Sequence, residues 1–388
     1  MIKRNIENEI RILAKEFPVI VISGPRQSGK TTLSKHLFPK HEYVSLEDPD
    51  NREFAIDDPK GFLKKYDTNV IIDEAQHAPD LFSYLQGKAD KTEKTGKYIL
   101  TGSQNYLLLE KISQSLAGRV GIATLLPFSI NELEDVFPKL PTNLNAYMFS
   151  GSYPPIYSRN IRPLSFYSTY LNTYVERDVR NVFNITDLSR FKRMVSLLAG
   201  RVGQILNKNE LATETGVSHV TIENWLSILE ASYIIFRLQP WFKNFNKRIV
   251  KQPKIFFYDT GLAAHLLGIR NENDLELHFA RGHLFENMVV GEFVKENFNF
   301  NLGYMIYFWR DSHKKEIDLI IDFGNKVNAI EMKSSSTFRK DFISTLKYWG
   351  KLSDTKDENL ILIYNGTEEI DFLGIKVRSW NNIKTMIC

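Results

Sequence analysis

Cysteine is nearly absent from this sequence: the one cysteine among 388 residues is Cys388. A disulfide framework and a cysteine-based zinc site are therefore excluded, and the composition suits a reducing compartment, so we expect a cytoplasmic protein. Long apolar runs are also missing, because no segment approaches the roughly 20 apolar residues of a membrane span. The first residues lack the apolar core of a signal peptide. We expect neither secretion nor a membrane partner.

A strong charge of either sign is absent as well. Fifty Lys and Arg against 46 Asp and Glu give a formal net charge of +4, which is too small to indicate nucleic-acid binding by itself. Hydrophobic residues make up 43% and charged residues 25% of the chain, as is ordinary for a soluble globular protein. Because 388 residues exceed what one hydrophobic core usually supports, we predict more than one domain.

A phosphate-binding loop is indicated near the N-terminus. The apolar run 18–23 predicts a buried parallel strand, and a helical pattern follows the loop. Between them, a G-x-x-x-x-G-K-T spacing lets backbone N–H groups and a helix N-terminus surround phosphate oxygens. Lys30 would reach the β- and γ-phosphates of ATP, and the Thr31 hydroxyl would be a ligand of Mg²⁺. The predicted nucleotide-binding residues here are Gly24, Pro25, Arg26, Gln27, Ser28, Gly29, Lys30, Thr31 and Thr32.

A second apolar run, 69–72, ends in two acids, Asp73 and Glu74. A Walker B strand delivers an acid to the metal in this way, so Asp73 is predicted to hold Mg²⁺. Glu74, one residue further on, is placed to polarise the attacking water as a general base.

Two further runs predict strands around this pair. The run 43–48 would be an extra strand that lies between the two strands just described along the chain. Such an order in the sequence is typical of the additional-strand branch of P-loop proteins. The run 97–101 leads to Ser103 and Gln104. Either residue could sense the γ-phosphate, or the segment could be an ordinary junction between a strand and a turn.

Arg119 follows a glycine at the end of a predicted helix, 107–116. Two interpretations stay open. In one, Arg119 reaches the γ-phosphate of a neighbouring subunit, which implies a homo-oligomer. In the other, it stabilises the negative end of the helix dipole.

Several phrases of the sequence resemble the prokaryotic family that couples an AAA+ ATPase to a C-terminal region of unknown function. The resemblance spans nearly the full chain, with the ATPase part at about 10–128, and it implies ATP hydrolysis. A further phrase contains Arg177, which would contact nucleotide, couple the domains or form an ion pair. The phrases are 24–31, 72–76, 100–103, 115–119, 151–154 and 174–178.

The middle of the chain shows little chemistry. Residues 129–206 predict helices, and 209–230 predict a helix-turn-helix with wing strands at 233–238 and 254–258. Its second helix lacks Arg and Lys, so base-specific reading of DNA is not indicated. Basic residues interleaved with aromatics predict either phosphate contacts with DNA or RNA or a solvated loop. They are Trp241, Phe242, Lys243, Phe245, Lys247, Arg248, Lys251 and Lys254.

Near the C-terminus, the runs 316–322 and 327–333 alternate with a period of two and predict a hairpin about 324–325. That register sets Asp318 opposite Glu331. Directly opposed side chains lie about 4.5–5.5 Å apart at Cβ, so the two carboxylates would repel unless a cation lay between them. Mg²⁺ is the natural candidate, with both acids as ligands.

Glu286 lies on the apolar face of a predicted helix, 283–295, and needs a partner there. Together with Asp318, Glu331 and Lys333 it resembles the PD-(D/E)XK site of the restriction-endonuclease-like fold, although Ile317 stands where proline is expected. The resemblance implies a metal-dependent nuclease. Glu286 would be a further metal ligand or would hydrogen-bond the site, and Lys333 would stabilise charge on the scissile phosphate or orient the attacking water. The alternative is an acidic hairpin with a salt-bridged lysine.

These observations predict an α/β protein with four segments. We expect an AAA+ P-loop ATPase with a parallel sheet at 1–128, a helical linker at 129–206, a winged helix-turn-helix at 207–258 and a nuclease-like α/β domain at 259–388. The predicted function is Mg²⁺-dependent ATP hydrolysis, associated with nucleic acid, that controls the C-terminal domain. In the alternative, that domain is catalytically silent and docks protein or DNA.

Overall fold

The computed structural model describes residues 2–67, 69–92, 94–103, 116–137, 143–174, 179–180, 185, 187–242 and 251–386, with backbone alone at 384–386. The chain forms two compact units. The first consists of 1–128 with 231–233 and 298–301, and the second contains the rest. The further predicted divisions after residues 206 and 258 stay predictions. Among the described residues, no helix is both long and apolar enough to cross a membrane.

The first unit is a parallel sheet with flanking helices, as its alternating apolar runs predict. In its described part the strands are β1 Val19–Ser23, β2 Glu42–Ser45, β3 Val70–Asp73, β4 Tyr98–Gly102 and β5 Val120–Thr124. The helices are α1 Glu7–Glu16, α2 Lys30–Leu37, α3 Pro49–Asp57, α4 Pro59–Lys65 and α5 Leu81–Ala89. Helices α3 and α4 each begin with an aspartate cap followed by proline, which fixes where they start.

The order of the described strands in this sheet is β2-β3-β4-β1-β5, and all of their pairings are parallel. Strands β1, β3 and β4 are buried along their whole length because helices cover both faces. Strand β4 lies between β1 and β3, so the phosphate loop after β1 and the acids after β3 emerge at the same sheet edge. The parallel sheet confirms the predicted P-loop type of fold.

Gly24 turns the chain out of β1 with φ +145°, a conformation that residues with a Cβ rarely adopt. A Cβ there would lie 2.1 Å from the backbone oxygen of Leu125, just past the end of β5. The loop therefore passes against β5 at a distance that only glycine permits.

We expect Gly24→Ala to lower the free energy of unfolding by about 2–3 kcal/mol, because the added methyl group must push the loop away from β5. Gly87→Ala is the matched control: Gly87 lies in α5 with no atom within 4 Å of an added Cβ, so this change should add about 0.5–1 kcal/mol of helix stability. Urea unfolding of both variants measures the difference. Equal stability of Gly24→Ala and the wild type would contradict the close approach.

The second unit combines helices with a mixed sheet. Its described helices are α6 Ile130–Glu134, α7 Leu144–Ser150, α8 Pro154–Ser158, α9 Pro163–Tyr174, α10 Leu188–Ala199, α11 Lys208–Thr215, α12 His219–Ala231, α13 Thr260–Leu266, α14 Arg281–Phe300 and α15 Ser344–Ser353. Its strands are β6 Ile235–Pro240, β7 Lys254–Phe257, β8 Met305–Arg310, β9 Glu316–Asp322, β10 Val327–Lys333, β11 Leu360–Tyr364, β12 Ile370–Phe372 and β13 Ile375–Ser379.

Helices α11 and α12 occupy the predicted helix-turn-helix segment, and Gly216 makes the turn with φ +69°. Strands β6 and β7 pair antiparallel, but β6 also pairs with β8, so this hairpin forms one edge of the larger sheet. The assignment of the segment as a winged helix stays a prediction.

The predicted basic stripe is wrong at two of its positions. Lys254 is 1% exposed and Trp241 is 6% exposed, so neither can contact a phosphate backbone. Trp241 packs in the sheet core against Trp349, and Lys254 is taken up by carboxylates. Phe242 and Lys251 are exposed. Four more members lie outside the described residues: Lys243, Phe245, Lys247 and Arg248.

The sheet of the second unit runs β12-β13-β11-β10-β9-β8-β6-β7 in its described part. Strands β9 and β10 pair antiparallel with Val327 opposite Asp322 and Ile330 opposite Leu319. This is the predicted register over the paired residues, which end at Ile330 and Leu319, next to Glu331 and Asp318. Gly324 makes the turn with φ +82°. The hairpin prediction is confirmed.

Candidate nucleotide site and C-terminal carboxylate centre

The phosphate loop lies between β1 and α2, as its sequence predicts. The Lys30 ammonium, 6% exposed, donates hydrogen bonds to the backbone oxygens of Gly24 at 3.0 Å and Pro25 at 2.8 Å. Gly29, with φ +96°, precedes the first turn of α2, whose amides have no acceptor within the helix. Backbone donors and one ammonium therefore converge on the same loop. Among the other predicted residues of the loop, Arg26 is half-buried, and Gln27 and Thr32 are exposed.

Asp73, at the end of β3, lies beside the phosphate loop. Its carboxylate accepts hydrogen bonds from the Thr31 hydroxyl at 2.9 Å and from the Tyr43 hydroxyl at 2.8 Å, and Thr101 donates a third. Burial and the Asp73 carboxylate raise the pKa of Tyr43 to about 12, so the phenol keeps its proton and stays a donor. The two predicted metal ligands, Thr31 and Asp73, are thus in contact.

Glu74 follows Asp73 with φ +53°, a left-handed conformation that is uncommon for a residue with a side chain. Its Oε2 accepts hydrogen bonds from Ser103 Oγ at 3.1 Å and from Gln76 Nε2. Ser103 is the predicted γ-phosphate sensor, and its alternative, Gln104, lies outside the described residues. Two donors therefore fix the orientation of the carboxylate predicted to act as base.

Arg4 binds the backbone of the phosphate loop, and no sequence motif indicates this contact. The guanidinium is 4% exposed and donates to the backbone oxygen of Ser28 at 2.9 Å and of Leu126 at 2.6 Å. It also lies 4.6 Å from the centre of the Phe128 ring. Arg4 therefore joins the loop to the chain segment after β5.

Arg119 forms an ion pair with Asp90 and donates to the backbone oxygen of Ala117 at 3.0 Å. Its side chain is 35% exposed. Both predicted roles of Arg119 stay predictions. Arg177 lies outside the described residues.

The residues present fit Mg²⁺-ATP. Ser28 Oγ is buried within the loop and has no hydrogen-bond partner in the described part of the chain, as expected of a group that contacts a bound ligand. The Thr31 hydroxyl and the Asp73 carboxylate offer adjacent oxygen atoms, which are the ligands that Mg²⁺ prefers. The loop amides and Lys30 suit a polyphosphate.

The second unit contains a group of four carboxylates, Glu286, Glu316, Asp318 and Glu331, which we call the carboxylate centre. Ligand atoms of the first three lie within 4.8 Å of one another. The Met332 amide donates to Asp318 at 2.7 Å, and Lys333 pairs with Glu331 at 2.6 Å. Glu331 Oε2 is buried and has no hydrogen-bond partner among the described residues. All four predicted residues, Glu286, Asp318, Glu331 and Lys333, therefore meet at one place.

Burial and mutual repulsion dominate the protonation of this centre. Burial, then Glu331 and Glu286, raise the pKa of Asp318 well above its ordinary value. Burial likewise raises the pKa of Glu331, although Lys333 acts against it. For Glu286 burial acts upward, but Lys254 and His283 together hold its pKa below the ordinary value. The pKa values of Asp318 and Glu286 are therefore shifted in opposite directions, because the nearest cations lie beside Glu286.

Sequence patterns missed Glu316 of this centre and the cation that pairs with it, Lys254. Lys254 forms ion pairs with Glu286 at 2.6 Å and with Glu316 at 2.5 Å. Glu316 also pairs with Arg310 at 3.2 Å. The alternating run 316–322 could have indicated Glu316, because it shares a strand face with Asp318. Nothing local indicated Lys254, which lies on a strand far away in sequence.

Three families match successive parts of the chain. An AAA domain matches residues 16–134, and two domains of unknown function, DUF8612 and DUF4143, match 141–273 and 281–382. With the phosphate loop and the parallel sheet, the first match supports a P-loop ATPase domain of the AAA type that binds ATP. The other two matches assign no activity.

Similar proteins were found among both sequences and structures. An uncharacterized protein of Mycobacterium tuberculosis is 29% identical, over 86% of this chain and 74% of its own length. An uncharacterized protein of Methanocaldococcus jannaschii is 24% identical, over 66% of this chain and 63% of its own. The Walker-type ATPase of Pyrococcus abyssi is 15% identical, with a TM-score of 0.46 over 69% of this chain and 96% of that structure.

Proposed function

We propose that this protein hydrolyses ATP in its first unit with Mg²⁺, and that Glu74 is the general base. The observation that carries this proposal is the pair of acids at the end of β3. Asp73 contacts the Thr31 hydroxyl, and Glu74 is oriented by Ser103 and Gln76. Release of inorganic phosphate from ATP by the purified full chain tests the proposal, and a chain that releases none would overturn it.

The residues divide the reaction between them. Lys30 and the loop amides balance the charge on the β- and γ-phosphate oxygens. Glu74 takes a proton from the attacking water while the water oxygen bonds to the γ-phosphorus. The bond between the γ-phosphorus and the β-phosphate oxygen breaks, which releases ADP and inorganic phosphate. Thr31 and Asp73 would hold Mg²⁺, with Tyr43 and Thr101 orienting Asp73. Mg²⁺, when bound, neutralises charge on the phosphate oxygens.

Assembly of copies through Arg119 belongs to the same proposal. An arginine that stabilises transition-state charge on a neighbour's γ-phosphate would have to exchange its pairing with Asp90 for that phosphate. At 35% exposure of the Arg119 side chain, the present ion pair is partly solvated and so only weakly stabilising. Replacing the Arg119–Asp90 ion pair by a contact with phosphate would therefore cost little free energy.

For the second unit, we propose a metal-dependent centre that acts on the phosphodiester backbone of a nucleic acid under control of the ATP cycle. Asp318 and Glu331 would hold Mg²⁺, and Lys333 would stabilise charge on the scissile phosphate. The unpartnered, buried Glu331 Oε2 supports this, because such an atom requires a partner. The antiparallel pairing of β9 with β10 supports it too, since its register places the two acids next to the last paired residues of the two strands.

A second candidate function is a docking module without catalysis. The ion pairs of Lys254 with Glu286 and Glu316 favour it, because these carboxylates already have a cation within the protein. A centre that is neutralised from within needs no metal to fold.

The two candidates predict different outcomes with plasmid and single-stranded DNA in Mg²⁺ or Mn²⁺. If the centre is a nuclease, the wild type cleaves and Lys333→Ala loses at least about 100-fold in rate, since it removes the charge that stabilises the scissile phosphate. Lys351→Ala, which changes an exposed lysine at the end of α15, should cleave like the wild type. Absence of cleavage with every substrate would favour the docking module.

A further inference from the structure

Lys254 is a buried cation. It is 1% exposed, and its ammonium lies 2.6 Å from Glu286 Oε1 and 2.5 Å from Glu316 Oε1. The same nitrogen lies 5.5 Å from the centre of the Phe308 ring. An ammonium is tolerated in such surroundings only when anions surround it. Lys254 is therefore part of the carboxylate centre and not of a surface.

The backbone of Lys254 is fixed from two sides. It pairs with Leu238 in the β6–β7 ladder, and it forms an isolated antiparallel bridge with Ile205. Its neighbour Pro253 accepts a hydrogen bond from the Leu206 amide at 2.8 Å. Backbone pairing on two sides thus positions the Lys254 ammonium beside the carboxylates.

Lys254 occupies the position that a divalent ion would need. Ligand atoms of Glu286, Glu316 and Asp318 all lie within 4.8 Å of one another, a spacing that one small cation could bridge. Lys254 already contacts two of these three groups. An ammonium and a divalent ion would repel each other here and would compete for the same carboxylate oxygens.

The protein itself supplies several cations to the carboxylate centre. Four carboxyl groups face three cations, since Arg310 pairs with Glu316 at 3.2 Å and Lys333 pairs with Glu331 at 2.6 Å in addition to Lys254. Glu286, Glu316 and Glu331 are thus each paired with a cation of the protein. A divalent ion between Glu286 and Glu316 would have to compete with Lys254 for their oxygen atoms.

We propose that Lys254 is the resident cation of the carboxylate centre, and that its ammonium keeps divalent metal ions out of the space between Glu286, Glu316 and Asp318. This inference concerns the same carboxylates as the proposed metal centre of the second unit, but it goes beyond that proposal and holds whether or not the wild type binds a metal. It assigns Glu286 to Lys254 instead of to a metal, and it confines metal binding in the wild type to the Asp318 and Glu331 side.

Titration of the full chain with Mn²⁺ in the absence of nucleotide tests the inference. Calorimetry and the electron paramagnetic resonance signal of free Mn²⁺ measure the binding. Lys254→Met keeps the length of the side chain and removes its charge. We expect this variant to bind one Mn²⁺ per chain at least tenfold more tightly than the wild type. Adding Asp318→Asn to Lys254→Met should abolish the gain. Equal affinity of Lys254→Met and the wild type would overturn the inference.

Because Lys254→Met leaves carboxylates unpaired, folding is judged separately. Without metal, the melting temperature of Lys254→Met should be lower than that of the wild type. Mn²⁺ should restore it, whereas Mn²⁺ should change the melting temperature of the wild type little. If Lys254→Met does not fold, Lys254→Met with Glu286→Gln removes one charge of each sign and keeps Glu316 and Asp318. The same tenfold gain is expected of it, and no gain would overturn the inference.

The wild-type titration separates this inference from the proposed function. Tight Mn²⁺ binding by the wild type that Lys254→Met does not improve would leave the proposed metal centre standing and overturn the resident cation. Binding by Lys254→Met alone would support the resident cation and overturn a metal centre in the wild type.

Discussion

Lys30→Ala should bind no ATP that calorimetry can detect. The Lys30 ammonium lies within the loop and donates to two of its backbone oxygens, at 3.0 Å and 2.8 Å. Hydrogen bonds to charged groups contribute about 1.5–3 kcal/mol each. Loss of two of them to the phosphates removes about 3–6 kcal/mol, or roughly two to four powers of ten in the dissociation constant.

Lys40→Ala is the control for this change. Lys40 is exposed in the segment after α2, so its removal changes the net charge equally without touching the loop. Calorimetric titration with Mg²⁺-ATP should give the wild-type affinity for Lys40→Ala and no heat for Lys30→Ala. Circular dichroism should show both variants folded. An unchanged dissociation constant in Lys30→Ala would remove the phosphate loop from the ATP site.

Glu74→Gln should bind ATP with about the wild-type affinity and hydrolyse it about 10²–10⁴ times more slowly. The amide keeps the size of the carboxylate, but it cannot accept a proton from water. The neighbouring Asp73, with its contacts to Thr31 and Tyr43, is untouched. Binding and turnover should therefore separate, which a merely structural role of Glu74 would not produce.

The matched change is Glu53→Gln, at an exposed glutamate of α3. Single-turnover hydrolysis and calorimetry on both variants measure the two effects independently. We expect wild-type turnover from Glu53→Gln. Full turnover in Glu74→Gln would assign the base to another group, and loss of ATP binding would indicate that Glu74 supports the loop instead.

The nucleotide site was largely predictable because its parts are short and contiguous. A glycine-rich loop between an apolar strand and a helix can be recognised without knowledge of the fold, and so can an acid pair after a second apolar run. The hairpin register at Asp318 and Glu331 was predictable for the same reason, since a tight turn fixes which residues face each other.

The supporting contacts were not predictable because they join distant parts of the chain. Arg4 contacts Ser28 and Leu126, and Tyr43 contacts Asp73. Each pairing depends on the strand order, which periodicity does not supply. A lone arginine or tyrosine looks the same in a sequence whether it is solvated or buried.

Lys254 shows how local composition can mislead. Its neighbours in the sequence are lysines and aromatic residues, as in a phosphate-contacting stripe. The sequence therefore predicts the same phosphate contact for every lysine of the segment. Strand β7 instead lies next to β6 in the larger sheet, where Lys254 meets acids from α14 and β9. Which residue pairs with a buried charge depends on the tertiary structure and not on the local sequence.

The strand order of the first unit has a consequence for protein synthesis. Strand β1 leaves the ribosome first, yet it pairs with β4 and β5, the last two strands of its sheet to be made. Strands β2 and β3 can pair with each other much earlier. A nascent chain thus carries an apolar, unpaired β1 through most of the translation of this unit, exposed to aggregation and to chaperones.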